Sequence, residues 1–204
     1  MKDGKILDKS FYLQDTNTVA RELLGKVLVL KFCDEFKLRI VETESYLTND
    51  RACHAFNGKK TNRTEVMFKE GGRLYIYFTY GMYNMLNIVT REEDLGEAVL
   101  IRGVEPLNNF DKISLNRFNK PYKELKLNQK KNLTNGPGKL TKALGIDRNL
   151  NGYSLLGDKL YILDDGYREF NIVTTKRIGI DYAQEAKDYL QRFYIEGNEY
   201  VSSK

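Results

Sequence analysis

The stretch that most limits how this chain can fold is RLYIYFTYGMYNMLNIVT, residues 73–90. Two aromatic, β-branched runs flank Tyr80-Gly81-Met82-Tyr83. Such side chains suit a pleated surface, and a glycine between two such runs marks a turn. The pattern predicts a β-hairpin with Gly81 in its turn. Tyr75 and Tyr77 would share one face of the first strand, and Asn87 would sit on the returning one. Comparable strand signals lie at KVLVLKF (26–32), RIVETESYL (39–47), EAVLIRGVEP (97–106), YILDDG (161–166), FNIVTTKRIGI (170–180) and RFYIEG (192–197). Helical signals are short. DTNTVARELLG (15–25) offers Asp15 or Thr16 as a cap and Gly25 as a stop, NGPGKLTKALG (135–145) opens on a Gly-Pro turn, and AQEAKDYL (183–190) is helical in propensity. Many strands without an alternating βα rhythm predict an α+β fold. The expected architecture is a single domain over residues 1–204, a mainly antiparallel curved sheet with short peripheral helices and a protruding hairpin.

With 204 residues and 41% hydrophobic side chains, the chain can bury one real core. No apolar run approaches the roughly 20 residues of a membrane helix. The opening MKDGKILDKSFYLQ has no apolar signal-peptide region, so the expected location is cytoplasmic, nucleoid-associated if bacterial, and not secreted. The two cysteines, Cys33 and Cys53, are expected to be free thiols. The net charge of +5 is unevenly spread. Residues 111–148 hold 10 basic and 3 acidic side chains, a local +7, which leaves −2 for the rest. A concentrated basic stretch suits a polyanion, and aromatic rings beside it suit stacking on bases. A solvated, lysine-rich surface loop would give the same count.

RIVETESYL poses a sharper question. Alternation along a strand puts Glu42, Glu44 and Tyr46 on one face. Burying carboxylates is costly unless they are paired or used. A glycosidase pair flanks its scissile bond, whereas two acids at i and i+2 stand on the same flank of any substrate. One working carboxylate beside a tyrosine wall, able to orient and deprotonate water, fits better. His54 is the only histidine. With Cys53 it falls short of the ligands zinc requires, so no metal is expected, and by spacing alone His54 reads as a surface-loop residue. GPGKLT (136–141) lacks the first glycine and the loop length of a nucleotide-binding P-loop. It still places free N–H groups and Lys139 where an anion can meet a helix start.

Together these stretches strongly resemble the alkyladenine (3-methyladenine) DNA glycosylase family. The resemblance rests on ARELLGK (20–26), RIVETESYL, the His54 loop, YIYFTYGMYNMLNIVT (75–90), EAVLIRGVEP, NGPGKLTKALGI (135–146), RIGIDYA (177–183) and RFYIEGNEYVS (192–202), in family order over nearly the whole chain. It implies a monofunctional DNA glycosylase of base-excision repair. Such an enzyme flips alkylated or deaminated purines (3-methyladenine, 7-methylguanine, hypoxanthine) from duplex DNA and hydrolyses the N-glycosidic bond, with no cofactor. Residue by residue, Glu44 falls on the family's general base. Arg102 and the main-chain carbonyl of Ile178 fall on positions that hold the attacking water. Tyr46, Tyr77 and His54 fall on the walls of the base pocket, and Asn87 on the residue that opposes the 2-amino group of guanine. Tyr80 falls on the minor-groove wedge, Met82 on its neighbour, and Lys139 on a phosphate contact. Glu42 matches no catalytic role and reads as a structural partner of a buried basic side chain. The loop LTNDRAC (47–53) lacks a Gly-Pro that many members carry, and Gly138 stands where some have serine. The partner implied is double-stranded DNA with damaged purines, bound by a monomer.

Two other classes share parts of this pattern. A non-catalytic nucleic-acid-binding protein would not need Glu44, Arg102 and the RIGI segment to converge. A small-molecule nucleoside hydrolase would need neither the +7 segment nor an exposed Tyr80.

Overall fold

The computed structural model describes residues 4–203. In chain order the elements are β1 (Lys5–Ile6), α1 (Lys9–Tyr12), α2 (Thr16–Glu22), β2 (Val27–Lys31), β3 (Glu35–Tyr46), β4 (Leu74–Thr79), β5 (Tyr83–Thr90) and β6 (Glu97–Pro106). After these come α3 (Phe110–Phe118), α4 (Leu127–Lys131), α5 (Pro137–Leu144), β7 (Leu160–Asp164), β8 (Ile172–Thr175) and β9 (Arg192–Ile195). The sheet runs β1-β7-β2-β3-β6-β5-β4, with β9 joined to β3 and β8 to β9, and every pairing is antiparallel. This is the α+β arrangement that the strand pattern predicts.

The local signals act as their chemistry requires. The Asp15 carboxylate accepts from the N–H groups of Asn17 and Thr18 and starts α2. Gly145 takes a left-handed φ of 66° and ends α5. At the hairpin tip Tyr80 and Gly81 have φ of 51° and 66°, the sign a tight turn between twisted strands demands. Glycine meets that at no cost, whereas tyrosine pays about 1–2 kcal/mol for the left-handed region.

Two segments depart from the sequence-based expectation. The predicted strand 170–180 stops at Thr175, and RIGIDYA is an irregular loop. The 183–190 stretch forms only a short 3₁₀ turn, Gln184–Asp188. The first is held by bonds to or from side chains, the Ile178 N–H to Glu44 and Arg177 to Ser45 and Asp50, and the second by single-turn backbone bonds such as Ala186 N–H to the Ala183 carbonyl (3.0 Å). The basic segment is not a plain loop, because it contains α3 and α4. Part of its charge works internally. Arg117 donates to the carbonyls of Leu133 (2.9 Å) and Asn132 (3.2 Å), Lys112 pairs with Asp34, and Lys131 pairs with Glu199.

β3 organises the molecule. Its first half pairs with β2 on one edge, and beyond Ile40 that edge passes to β9. On the other edge it pairs with β6 throughout, but the register slips between Ile40 and Thr43. There Glu42 faces Gly103 and Thr43 faces Ile101, which leaves Arg102 as a bulged residue. A bulge re-aims a side chain, and this one turns Arg102 onto β3's acids. One face of β3 meets α2, where Thr43 Oγ1 donates to the Ala20 carbonyl and Ser45 Oγ to Asn17 Oδ1. The main apolar core lies on this helix side, with Val19, Leu23, Val41, Ile88, Ile101 and Leu140 buried in it.

Candidate active site

The other face of β3 carries the acids. Register places Tyr75 opposite Asn87, Asn87 opposite Leu100, Leu100 opposite Glu44, and Glu44 opposite Arg192. Directly opposed residues share a sheet face, so this row spans β4, β5, β6, β3 and β9 on one side. A cavity of about 340 Å³ opens over it, lined by Tyr75, Asn87, Leu100, Arg102, Tyr46 and Tyr77, with His54, Arg63, Ile178 and Tyr182 among its other walls. That volume falls within the roughly 300–1,000 Å³ of small-ligand sites.

Glu44 is fully buried and does not itself line the cavity. Its carboxylate accepts from three donors that do. The Tyr46 hydroxyl donates to Oε2 (2.8 Å), Arg102 donates to Oε2 (3.3 Å), and the Ile178 N–H donates to Oε1 (2.8 Å). The main-chain group of Ile178 on the acid is therefore its N–H. A carboxylate has about four acceptor sites, so one remains for a further donor from the cavity. Burial, then the Glu44 charge, raises the Tyr46 hydroxyl well above its ordinary range, so it stays protonated and donates. Burial works against the Arg102 charge, but Glu44 and Glu42 outweigh it, and the guanidinium is held more firmly protonated.

Glu42, equally buried, does not line the cavity either. It accepts from Arg192 (2.7 Å), Arg102 (3.2 Å), and both the N–H (2.7 Å) and the hydroxyl (2.8 Å) of Ser202. The structural partnership expected for Glu42 thus involves two arginines.

The base-pocket candidates come together. His54 meets Tyr77 edge to face with ring centroids 4.6 Å apart, and Tyr75 and Tyr77 lie 5.5 Å apart. His54 is part of the cavity, not a free surface residue. Burial, then the Arg63 charge, lowers its pKa to about 4, so it is neutral near pH 7. Arg63 can only donate, and it lies 3.3 Å from Nε2. Nε2 therefore accepts, and Nδ1 carries the hydrogen given to the Tyr75 hydroxyl (3.0 Å). The Asn87 amide donates to the carbonyls of Tyr75 (3.1 Å) and Met85 (3.2 Å), which fixes its orientation in the wall.

At the rim, Tyr80 is 78% exposed and Met82 65% exposed on the hairpin tip. Lys139 sits in the first turn of α5, its ammonium held by the side chains of Asn132 (2.7 Å) and Asn135 (2.9 Å). Burial, then Arg117, lowers its pKa. Gly138 is required by packing. A Cβ there would lie 2.6 Å from the Tyr83 ring, so a serine would force that ring to move.

Sequence reasoning missed Arg177. It is buried, donates to the carbonyls of Ser45 (2.8 Å) and Ala186 (3.1 Å) and to Asp50, and lies 4.8 Å from the Tyr46 ring centre. It ties the RIGI loop to the Tyr46 wall. Its signal was an arginine beside Ile178 in a segment already singled out. Tyr182 lies in the same segment, whereas Arg63 gave no comparable signal.

Comparison with known families bears on this geometry. The model of the methylpurine-DNA glycosylase (MPG) family matches residues 10–199. The chain belongs to that family. It is a monofunctional DNA glycosylase of DNA repair, a hydrolase of N-glycosyl bonds whose substrate is DNA. A relative from Clostridium novyi (strain NT) is 52% identical over 203 residues, covering 98% of this chain and all of its own length. One from Clostridium perfringens (strain 13 / Type A) is 49% identical, covering 97% of this chain and 99% of its own. One from Clostridioides difficile (strain 630) is 48% identical, covering 93% and 100%. All three carry the provisional name 3-methyladenine DNA glycosylase. Among the described residues, no helix of this glycosylase is long and apolar enough to cross a membrane.

Proposed function

We propose that this glycosylase flips alkylated or deaminated purines, of the 3-methyladenine, 7-methylguanine and hypoxanthine class, out of duplex DNA. It then hydrolyses the bond from C1′ to the base with a water activated by Glu44 and leaves an abasic site. The observation that carries this reading is the Glu44 carboxylate, held by Tyr46, Arg102 and Ile178 directly behind an aromatic cavity. A base stacked between Tyr46 and Tyr77, edge-on to His54, would bring its sugar toward that wall. The bond to C1′ breaks and its electron pair leaves with the base. Water oxygen bonds to C1′ and its proton goes to Glu44. The same carboxylate stabilises positive charge on the sugar. Arg102 and Ile178 orient the acid and the water.

A methylpurine that is already cationic leaves neutral and needs little further help. The clamped Asn87 amide cannot swing aside and so opposes the 2-amino group of guanine. Tyr80 enters the minor groove where the nucleotide was, Met82 supports it, and Lys139 contacts a phosphate at the α5 start. Unstacking costs a few kcal/mol per step, which an aromatic wedge partly offsets. The strain stored at Tyr80 is in keeping with a residue placed for function rather than for the turn. One copy suffices to grip one flipped base, so the enzyme works as a monomer, in the cytoplasm or on the nucleoid.

The test is incubation with duplexes that each carry one hypoxanthine or one alkylated purine, followed by hot alkali. Strand cleavage at the lesion is expected. No cleavage on any of them would refute the reading.

A further inference from the structure

One cavity side chain has no part in the mechanism above. Arg63 projects from a turn whose backbone is fixed: Thr64 Oγ1 donates to the Lys59 carbonyl (2.8 Å) and accepts from the Thr61 N–H (2.9 Å). Thr64 is buried while Arg63 itself is exposed, so a fixed mount carries an exposed side chain. Its guanidinium lies 5.0 Å from the Tyr77 ring centre and 3.3 Å from His54 Nε2, and it lines the cavity. Among the described residues no carboxylate forms an ion pair with it. An unneutralised cation therefore rests on the ring and the imidazole that are to receive the base.

We propose that Arg63 is a specificity-determining residue, a resident cation on the base platform that sorts lesions by charge, favouring neutral damaged purines over cationic ones. This rests on the glycosylase reading above. Its chemistry is that of guanidinium, which is always charged and offers only donors. A cationic methylpurine entering the cavity competes with Arg63 for the electron-rich face of Tyr77 and is repelled by it. A neutral purine such as hypoxanthine suffers no repulsion. When the bond to C1′ breaks, that base takes the electron pair and becomes negative on its ring nitrogens and oxygen. Arg63 can donate to those acceptors as the charge develops, and solvent then supplies the proton. Among the described residues the only other lysine or arginine of the cavity lining is Arg102, and it is paired with Glu42 and Glu44.

The test compares single-turnover release of 7-methylguanine and of hypoxanthine from otherwise identical duplexes, by the unaltered enzyme and by Arg63→Gln and Arg63→Lys. Thermal midpoints of the variants confirm folding, which an exposed side chain should not disturb. In Arg63→Gln the ratio of 7-methylguanine release to hypoxanthine release should rise about tenfold or more, a change that the loss of one partly exposed charge can produce. Arg63→Lys should stay nearer the original ratio. Rates that change by the same factor on both lesions, within about twofold, would overturn the charge-sorting role. An unaltered enzyme that releases only the cationic base would do the same. An unaltered enzyme that releases neither base refutes the glycosylase reading itself, a different failure from an unmoved ratio.

Discussion

Removing the Glu42 charge should damage the fold more than the chemistry. Glu42 is wholly buried and accepts from Arg192, Arg102 and two groups of Ser202. Glu42→Gln keeps the shape but turns one acceptor into an NH₂ that faces donors. Arg102 would keep the Glu44 charge beside it, whereas Arg192 would keep hydrogen bonds to the glutamine oxygen and the Ser203 carbonyl but lose the carboxylate it pairs with. Breaking a buried pair from one side costs about 3–5 kcal/mol, because the partner charge stays buried. For a chain of this length each kcal/mol moves the thermal midpoint by about 2–4 °C, so a drop of roughly 6–20 °C is expected. Urea unfolding gives the free energy, and single-turnover excision at a temperature where the variant is fully folded gives the chemistry. Excision should remain within about tenfold, since only the seat of Arg102 is loosened. A variant destabilised by less than about 1 kcal/mol would refute the hub role. A stable but inactive variant would show that the roles of the two glutamates are reversed.

Tyr80→Gly should remove the wedge and relieve the left-handed strain together. Equilibrium unfolding should show stability unchanged or higher by about 1 kcal/mol, while lesion binding and base release weaken; a destabilised variant would mean that Tyr80 packs structurally. Asn87→Ser should raise release of normal guanine opposite cytosine, measured against hypoxanthine release by the same variant; an unchanged ratio would remove Asn87 from discrimination. Log binding constant against log salt should fall with a slope of about −3 to −5, as expected for three to six phosphate contacts, and a slope near zero would argue against a phosphate-tracking surface.

What the sequence could show follows from the range of the interactions involved. The hairpin and β6 depend on local pattern, and β6 spans the same residues, 97–106, that the sequence marks as a strand. The shared face of Glu44 and Tyr46 follows from strand alternation alone, and their hydrogen bond agrees with it. The partners of Glu42 were beyond reach, because Arg192 and Ser202 lie 150 and 160 positions away. The aim of Arg102 depends on a slip between two strands, and no pattern within β6 encodes it. RIGIDYA has strand-like composition, but Arg177 and the Ile178 N–H spend their hydrogen bonds on the Asp50 turn and on Glu44 instead of on a neighbouring strand. Charge counting overstated the free cations of residues 111–148, because it cannot see Arg117 turned inward onto carbonyls.

The most direct test of the central claim is single-turnover excision by Glu44→Gln on a duplex with one hypoxanthine or alkylated purine, alongside lesion binding by the same variant. Glutamine keeps the volume behind the cavity wall and loses both the base and the negative charge. Excision should fall by at least about 10²–10⁴-fold, with lesion binding kept within roughly tenfold. A folded Glu44→Gln enzyme that excises within about threefold of the unaltered one would contradict the assignment of Glu44 as the group that activates water.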